Sequence, residues 1–448
     1  MPHVTDKNIE WYLASFEAFE RGLNGASKEP IHLMRQAAIA RFAELGFPPP
    51  KHEEWRFTNI SPITKAQFAP AAPPVPGSIT HEAIAPFTFQ NLKCSRLVFV
   101  NGHFVEGLSS VGSLPKGVKA MSLARAMRSD MNLVYSHLGK YVTGGENAFT
   151  ALNTAFMPDG SFLFVPDGVA LEEPIHLLFV SAGEDSSFIS TPRNLIVIGK
   201  NSQVSIVESY VSVANVPYLT NSVTEMVVGE GAIIEHDKFQ DESLDGFHVG
   251  TTHVHQGRGS NLVSNSVSLG GSIVRNNVTS FLAAEGVECT LNGLSLATGR
   301  QLMDNHTMID HAMPNCVSHE LYKAVLDGRS RGVFNGKIFV RKDAQKTDAK
   351  QTNKTLLLSD GATMDTKPQL EIFADDVKCT HGATVGQLDE EQVFYLRSRG
   401  MDQETARDIL TFAFASDVVG RIHIEPLRDE LDAIIQNRLR QGRKTMVV

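Results

Sequence analysis

Residues 257–299 read GRGSNLVSNSVSLGGSIVRNNVTSFLAAEGVECTLNGLSLATG, in which short apolar and hydroxyl-rich segments are separated by glycines. Glycines that precede such segments recur along the middle of the chain in two sets. The spacings are 30, 28 and 29 residues in the first set and 29 and 29 in the second: Gly199, Gly229, Gly257 and Gly286; Gly270, Gly299 and Gly328. A repeat of roughly 20–50 residues is typical of a solenoid, in which each repeat forms one coil. The sequence therefore predicts a mainly β fold, a solenoid with coils of about 29 residues.

Helical patterns precede this region. A first amphipathic pattern follows a helix cap at Thr5 or Asp6. Pro30 fits the first turn of a second helix, and Gly46 fits its C-terminal cap. The proline-rich segment 69–77 then predicts a stiff, extended linker. Asn-Gly between two apolar runs at 97–105 predicts a β-hairpin, and a short helical pattern follows around 121–139.

The chain predicts helices again after the repeats. Asp402 can cap one helix, and Glu425 with Pro426 opens another. Each helix has one apolar face, formed by Ala406, Ile409, Leu410, Ala413, Phe414, Leu427, Leu431, Ile434 and Ile435. We therefore divide the chain into an N-terminal helical region with its linker (1–90), a β-solenoid core (91–385) and a C-terminal helical region (386–448).

The composition excludes several classes of function. Lysine and arginine total 41 against 50 acidic residues, a net charge of −9, so the chain lacks the basic footprint that nucleic acids and anionic membranes attract. No uncharged apolar run approaches the roughly 18 residues of a membrane span, and the polar start MPHVTDKNIE lacks the apolar region of a secretion signal. Four scattered cysteines do not form a disulfide scaffold, so we expect a reducing, cytoplasmic location.

Two groups of histidines are candidate metal ligands. His253 and His255 lie two residues apart, so a strand would place both imidazoles on one face, as in some metal sites. Gly259 occupies the position where a third ligand is expected, and a polar solenoid face is the alternative. A looser group fits no standard zinc spacing and is expected to be structural: His306, His311, Cys316 and His319.

Nucleotide and nucleic-acid binding are not expected. Residues 332–337 superficially resemble a phosphate-binding loop, but three residues separate the glycines where four are needed, and Ile338 replaces the magnesium-binding Ser or Thr. A basic ladder lacks stacking aromatics and is expected to be a solvated face: Lys342, Lys346, Lys350 and Lys354.

Cys379 and His381 are the most informative pair. Two residues apart in a strand, a thiolate and an imidazole would converge on one face. Sulfur and nitrogen together suit iron or zinc. Two ligands do not complete such a site, so the others would come from elsewhere in the chain or from a partner. From these residues alone, a buried cysteine beside a hydrogen-bonded histidine is the simpler interpretation.

The surrounding segments change that interpretation. They are EEWRFT (53–58), FNGKI (334–338), QKTDA (345–349), LLLS (356–359), DTKPQLEI (365–372), ADDVKCTHGAT (374–384) and YLRSRG (395–400). The sequence resembles the SufB/SufD family of iron–sulfur cluster assembly proteins. The length and the proline-broken helical N-terminal region are more similar to the SufD branch, and no cysteine-rich N-terminal motif like that of some SufB chains is visible.

The resemblance implies a right-handed parallel β-helix, which agrees with the solenoid predicted above. It also implies a non-enzymatic scaffold subunit that pairs edge to edge with SufB and binds the ATPase SufC through its C-terminal helices. Cys379 and His381 match the family's positions at the SufB interface, where the nascent cluster assembles, with His381 the expected iron ligand or proton handler. Iron or a cluster would be transient in the complex, with no cofactor stably bound to the isolated chain, which could also form a homodimer.

Two functions of other classes stay open from the residues. One is a cytoplasmic β-helix enzyme acting on polysaccharide, although the tryptophans, Trp11 and Trp55, precede the solenoid. The other is a free-standing metal-binding module that uses His253 and His255.

Overall fold

The computed structural model describes residues 7–23, 29–49, 51–142, 147–183 and 186–441. The helices are α1 (Lys7–Gly22), α2 (Pro30–Leu45), α3 (Ser61–Lys65), α4 (His81–Ile84), α5 (Leu123–Ser129), α6 (Met131–His137), α7 (Ala148–Phe156), α8 (Glu390–Ser398), α9 (Gln403–Val419) and α10 (Glu425–Gln441). Short 3₁₀ turns lie at Glu53–Trp55, Ala85–Phe87 and Glu106–Leu108. The cap predicted at Thr5 or Asp6 lies outside the described residues.

The strands are β1 (Ala69–Pro70), β2 (Ser95–Val100), β3 (His103–Phe104), β4 (Lys119–Ser122), β5 (Ser161–Val165), β6 (Ile175–Ser181), β7 (Phe188–Ser190), β8 (Arg193–Ile198), β9 (Gln203–Ser212), β10 (Tyr218–Val228), β11 (Ile233–Asp241), β12 (Gly246–Gln256), β13 (Asn261–Ser268), β14 (Ile273–Leu282), β15 (Glu288–Ala297), β16 (Leu302–His311), β17 (Val317–Leu326), β18 (Arg331–Val340), β19 (Asp348–Leu357), β20 (Thr363–Ile372) and β21 (Lys378–Gly386).

From β8 onward the chain alternates between two parallel sheets. The even sheet contains the even-numbered strands from β8 to β20, and the odd sheet contains the odd-numbered strands from β9 to β21. Pairing advances by one coil at a time: Leu302 of β16 pairs with Arg331 of β18, which lies 29 residues further along the chain. The result is a parallel β-solenoid of about 8 turns, and the predicted fold class and coil length are confirmed.

The recurring glycines lie at the corners where successive coils stack. A Cβ added to Gly229 would lie 2.8 Å from the carbonyl carbon of Gly199, and one added to Gly257 would lie 3.2 Å from that of Gly229. At a second corner Gly328 has a φ of +67°, and its Cβ would lie 3.0 Å from the backbone nitrogen of Gly299. Because neighbouring strands are only about 4.8 Å apart, a side chain at Gly229, Gly257 or Gly328 would press on the preceding coil. Gly286 and Gly299 have more room but take positive φ, +69° and +59°.

The solenoid interior also buries charged side chains. Glu208 Oε2 lies 2.8 Å from Nε2 of His236, and Glu242 Oε2 lies 2.7 Å from Nδ1 of His248. Lys238 Nζ lies 3.1 Å from Nε2 of His248. Burying a charged side chain is unfavourable unless it is paired and hydrogen-bonded. The hydrogen bonds of this network offset the cost of placing these side chains in the interior.

The N-terminal elements cover part of the even sheet. Helix α2 begins at Pro30 and ends before Gly46, whose φ is +60°, as predicted. The predicted hairpin joins β2 to β3 through Asn101 and Gly102, which both have positive φ. The segment 69–77 is no free linker, because its first two residues form β1, which pairs with β7.

The C-terminal helices pack on the outer face of the odd sheet. An apolar cluster joins helix residues to strand residues; it includes Ala415, Val418, Leu427, Leu431 and Ile435 from the helices and Val211, Phe239, Leu294, Val325 and Leu356 from the strands. Lys323 of β17 adds a hydrogen bond of 3.0 Å from Nζ to the carbonyl oxygen of Phe414. None of the described helices is both long and apolar enough to cross a membrane.

Candidate functional site at the open end of the solenoid

The solenoid ends in two edge strands. Strand β20 pairs with β18, and β21 pairs with β19; within the described residues each is the last strand of its sheet. The side chains of β21 are exposed except that of Cys379, which is half-buried. This end therefore presents two rows of unpaired backbone N–H and C=O groups beside an uncovered interior, an arrangement that favours pairing with another chain.

Cys379 and His381 both lie on β21 and face this interior. Their Cα partners on β19 are Ala349 and Gln351, whose side chains are fully buried inside the preceding coil. In-register parallel strands direct paired side chains to the same face of a sheet. Cys379 and His381 therefore lie over the interior of the last coil, on the shared face that their spacing predicts.

Cys379 is held against apolar side chains. It packs beside Ile338, Val340 and Ala349 at the end of the interior. Burial raises the pKa of the Cys379 thiol. The group is therefore a protonated thiol at neutral pH, and metal binding at this sulfur would release a proton.

His381 is exposed, and the pair does not form a complete site by itself. Among the described residues, no three His, Cys, Asp or Glu side chains are grouped so that they could hold a metal ion. The open end offers one sulfur and one nitrogen donor, a combination suited to iron or zinc. The described residues supply no further ligand for these two donors.

The other histidine pair has a different environment. His253 and His255 lie on β12, on the outer face of the even sheet, where the ring of Tyr141 lies 6.4 Å from His253 and 5.1 Å from His255. Burial lowers the pKa of His253 to about 4. The pair packs as part of an aromatic row, since the ring of Phe281 also lies 5.3 Å from that of His255. The geometry supplies no third ligand among the described residues.

The looser group of His306, His311, Cys316 and His319 is dispersed. His306 lies on the outer face of the even sheet, 3.0 Å from Asp304 and 3.3 Å from Glu54; burial opposes protonation, but Asp304 raises the pKa of His306. Nε2 of His311 lies 2.9 Å from Oγ of Ser318, and Sγ of Cys316 donates to the carbonyl oxygen of Ala284 at 3.2 Å. His306, His311 and Cys316 thus have separate structural contacts, as expected, and His319 is exposed on β17.

The predicted partner-binding residues divide into two sets. Four are fully buried and cannot contact a partner while the helices stay docked: Ala406, Leu427, Leu431 and Ile435. An amphipathic helix first buries its apolar face on its own domain, and the structure places these four side chains inside the chain. Their role in binding a partner stays a prediction. Five are half-buried or exposed: Ile409, Leu410, Ala413, Phe414 and Ile434.

Several exposed apolar residues were not predicted. Phe394 is 71% exposed and Tyr395 is 56% exposed on α8, and Phe373 is 60% exposed where β20 ends. Grouped exposed apolar side chains mark interaction surfaces. The DTKPQLEI segment ends just before Phe373 and the YLRSRG segment begins at Tyr395, but only the fold shows that these side chains leave the core.

Family comparisons agree with this architecture. The family model described as "SUF system FeS cluster assembly, SufBD core domain" matches residues 179–414. The model described as "SufBD protein N-terminal region" matches residues 6–177. Together the two matches cover the β-solenoid and nearly everything before it.

Relatives of similar length carry the same description. An iron–sulfur cluster assembly SufBD family protein of Synechocystis is 36% identical over 91% of this chain and 89% of its own length. The iron–sulfur cluster assembly protein SufD of Escherichia coli is 29% identical over 99% of both chains, and that of Bacillus subtilis is 29% identical over 72% of this chain and 75% of its own.

The fold and the open end thus define a β-solenoid protein with a thiol and an imidazole at an unpaired edge. The chain belongs to the SufBD family of iron–sulfur cluster assembly proteins, as the matched family models establish, and the resemblance noted in the sequence is confirmed.

Proposed function

We propose that this chain is the SufD-type scaffold subunit of a complex with a SufB paralogue and a SufC ATPase. Its role is to contribute Cys379 and His381 to the interface where an iron–sulfur cluster forms. One observation carries the proposal: a sulfur and a nitrogen donor face the uncovered interior of the last coil, between two unpaired strand edges.

The unpaired edges support a partner of the same fold. A second solenoid can continue both sheets by adding one strand to β20 and one to β21, which satisfies the backbone groups of both. Phe373 and Val385 are exposed at these edges, and pairing would bury them. The partner would then lie directly over Cys379 and His381 and could supply the missing ligands.

The C-terminal helices support a mechanical link to the ATPase. Lys323 of β17 lies 2.7 Å from Asp417 and donates to the carbonyl oxygen of Phe414, so α9 is tied to a strand of the odd sheet. That sheet ends in β21. We propose that SufC dimers, on binding ATP, pull these helices, shear the interface and open the cluster site to iron and sulfur.

ATP hydrolysis belongs to the partner in this proposal, and this chain acts as a non-enzymatic subunit. Its docking surface would be the exposed part of the C-terminal helices, including Ile409, Ala413 and Tyr395. Iron, sulfide and the cluster are cargo that the complex assembles and passes on.

The test is a His381→Ala variant co-expressed with its SufB and SufC partners. We expect the complex to elute intact in size-exclusion chromatography, because His381 is exposed and supports no core contact. Cluster formation, measured by visible absorbance and by iron and sulfide analysis, should be lost. His319→Ala is the matched control, since His319 is exposed on the outer face of the same sheet. Normal cluster formation by His381→Ala would contradict the proposal.

A further inference from the structure

A column of polar side chains lies directly behind His381. Glu320 of β17, Gln351 of β19 and His381 of β21 are Cα partners in three successive coils. In-register strands lie about 4.8 Å apart, so their inward side chains stack along the solenoid axis. Glu320 and Gln351 are buried, with 3% and 1% of their surfaces exposed, whereas His381 lies at the open end.

The hydrogen bond between Gln351 and Glu320 sets the direction of the amide. Nε2 of Gln351 donates to Oε2 of Glu320 at 2.7 Å. Burial raises the pKa of Glu320 to about 7, so at pH 8 the carboxylate is mainly ionised and can only accept hydrogen bonds. The nitrogen of the amide must therefore face Glu320, and the oxygen is left as an acceptor.

That oxygen is unused. Oε1 of Gln351 is buried and has no hydrogen-bond partner within the described part of the chain. The amide also packs closely against Gly336 of the opposite sheet, because a Cβ added to Gly336 would lie 2.5 Å from Nε2 of Gln351. A buried, oriented and unsatisfied acceptor on the residue paired with His381 is suited to the role that second partners of metal-bound histidines fill.

We propose that Gln351 is a positioning residue for His381. When a partner covers the open end, Oε1 of Gln351 accepts the N–H of the His381 ring, which leaves the other ring nitrogen free to bind iron. Glu320 acts one coil deeper by holding the amide in the orientation that presents oxygen. The inference rests on the proposed function, because it assigns His381 to iron.

The chain offers a matched pair of variants for the test, Gln351→Leu and Asn353→Leu. Asn353 lies on the same strand, faces the same interior, is equally buried and also has an unpartnered side-chain oxygen. Its Cα partner on β21 is Ala383 instead of a histidine. Both variants therefore remove a buried amide, but only Gln351→Leu removes the proposed acceptor for His381.

Two measurements on the co-expressed complex at pH 8 distinguish a positioning role of Gln351 from a purely structural role. In anaerobic titrations with Fe²⁺ against a competing chelator, Gln351→Leu should weaken iron binding roughly tenfold, and Asn353→Leu should change it less than twofold. In pulsed electron paramagnetic resonance of the reduced cluster, the quadrupole coupling of the remote imidazole nitrogen should change in Gln351→Leu and stay constant in Asn353→Leu.

Glu320→Gln provides a second variant if Gln351→Leu does not assemble. A glutamine at this position can either accept from Nε2 or donate to Oε1 of Gln351, so the amide is no longer held in one orientation. Iron binding should therefore weaken in the same direction, but by less than in Gln351→Leu. If His381→Ala abolishes the cluster but both Gln351→Leu and Glu320→Gln match Asn353→Leu, the positioning role is wrong and the proposed function stands. If His381→Ala retains the cluster, the proposed function itself fails.

Discussion

Glu320 and Gln351 occupy the same position in successive coils, joined by a 2.7 Å hydrogen bond in the interior of the solenoid. Burial raises the pKa of Glu320 from 4.5 to about 7, against the lowering effect of its hydrogen bond from Gln351. The folded chain therefore holds this proton more tightly than the unfolded chain. By linkage, the contribution of Glu320 to stability is full below about pH 4.5 and is lost as the pH rises through about 7.

The variant Glu320→Gln should remove this pH dependence, because the amide stays neutral. Relative to the variant, the isolated wild-type chain should lose roughly 3 kcal/mol of unfolding free energy between pH 4.5 and pH 8, since each pKa unit corresponds to about 1.4 kcal/mol. Urea unfolding at both pH values measures the difference, and other titrating groups cancel between the two proteins. A constant difference across this range would contradict the burial of an ionisable Glu320.

Cys379 should report whether a partner covers the open end. Its thiol is half-buried and has a pKa raised by burial, and the same is true of Cys94, which lies just before β2. In the isolated chain both thiols should react slowly with a maleimide, while the buried Cys289 and Cys316 should need denaturant. Addition of the SufB partner should slow labelling of Cys379 at least tenfold and leave Cys94 unchanged, as followed by peptide mass spectrometry. Equal labelling of Cys379 in both states would exclude coverage of this end.

The coil repeat could be predicted from sequence because it depends on backbone packing. Only glycine fits where Gly229 stacks on Gly199. Glycine therefore recurs at the spacing of the coils, and this spacing can be measured in the sequence. The shared face of Cys379 and His381 follows from the two-residue period of a strand. These inferences need no knowledge of what lies in the next coil.

The residues behind the site could not be predicted in this way. Among the strands from β8 onward, the offset between paired strands varies from 26 residues between Phe247 and Ile273 to 32 between Arg331 and Thr363. The pairing of Gln351 with His381 therefore requires the actual register. For the C-terminal helices, periodicity shows an apolar face but cannot distinguish contact with the chain's own sheet from contact with a partner; Leu427 and Leu431 pack on the chain's own sheet.

The ion pair between Arg193 and Glu225 should be essential for stability. Nη2 of Arg193 lies 2.5 Å from Oε1 of Glu225, both side chains are buried, and Glu225 also accepts the backbone N–H of Gly139. Arg193→Met leaves a buried carboxylate without its cation and should cost about 3–5 kcal/mol in urea unfolding. The control Arg331→Met breaks the partly exposed pair with Asp365 and should cost less than about 1 kcal/mol. Similar losses of unfolding free energy in both variants would contradict the conclusion that burial makes the pair of Arg193 and Glu225 essential.

Substitutions in the C-terminal helices should affect partner binding where the side chain is exposed and stability where it is buried. Ile409 is 40% exposed on α9, whereas Leu431 on α10 is fully buried against the odd sheet. Ile409→Glu should weaken binding of the SufC partner at least tenfold in titration calorimetry, while changing the unfolding free energy by less than about 0.5 kcal/mol. Leu431→Ala should cost about 2–5 kcal/mol of that free energy by opening a cavity.

Leu33→Glu is the control for adding a charge at an exposed apolar position, because Leu33 is exposed on α2 in the N-terminal region. It should leave binding of the SufC partner unchanged, since the proposed docking surface lies on the C-terminal helices. Equal weakening by Leu33→Glu and Ile409→Glu would show that charge alone disturbs the complex. Unchanged binding of the SufC partner by Ile409→Glu would show that the docking surface does not include this face of α9.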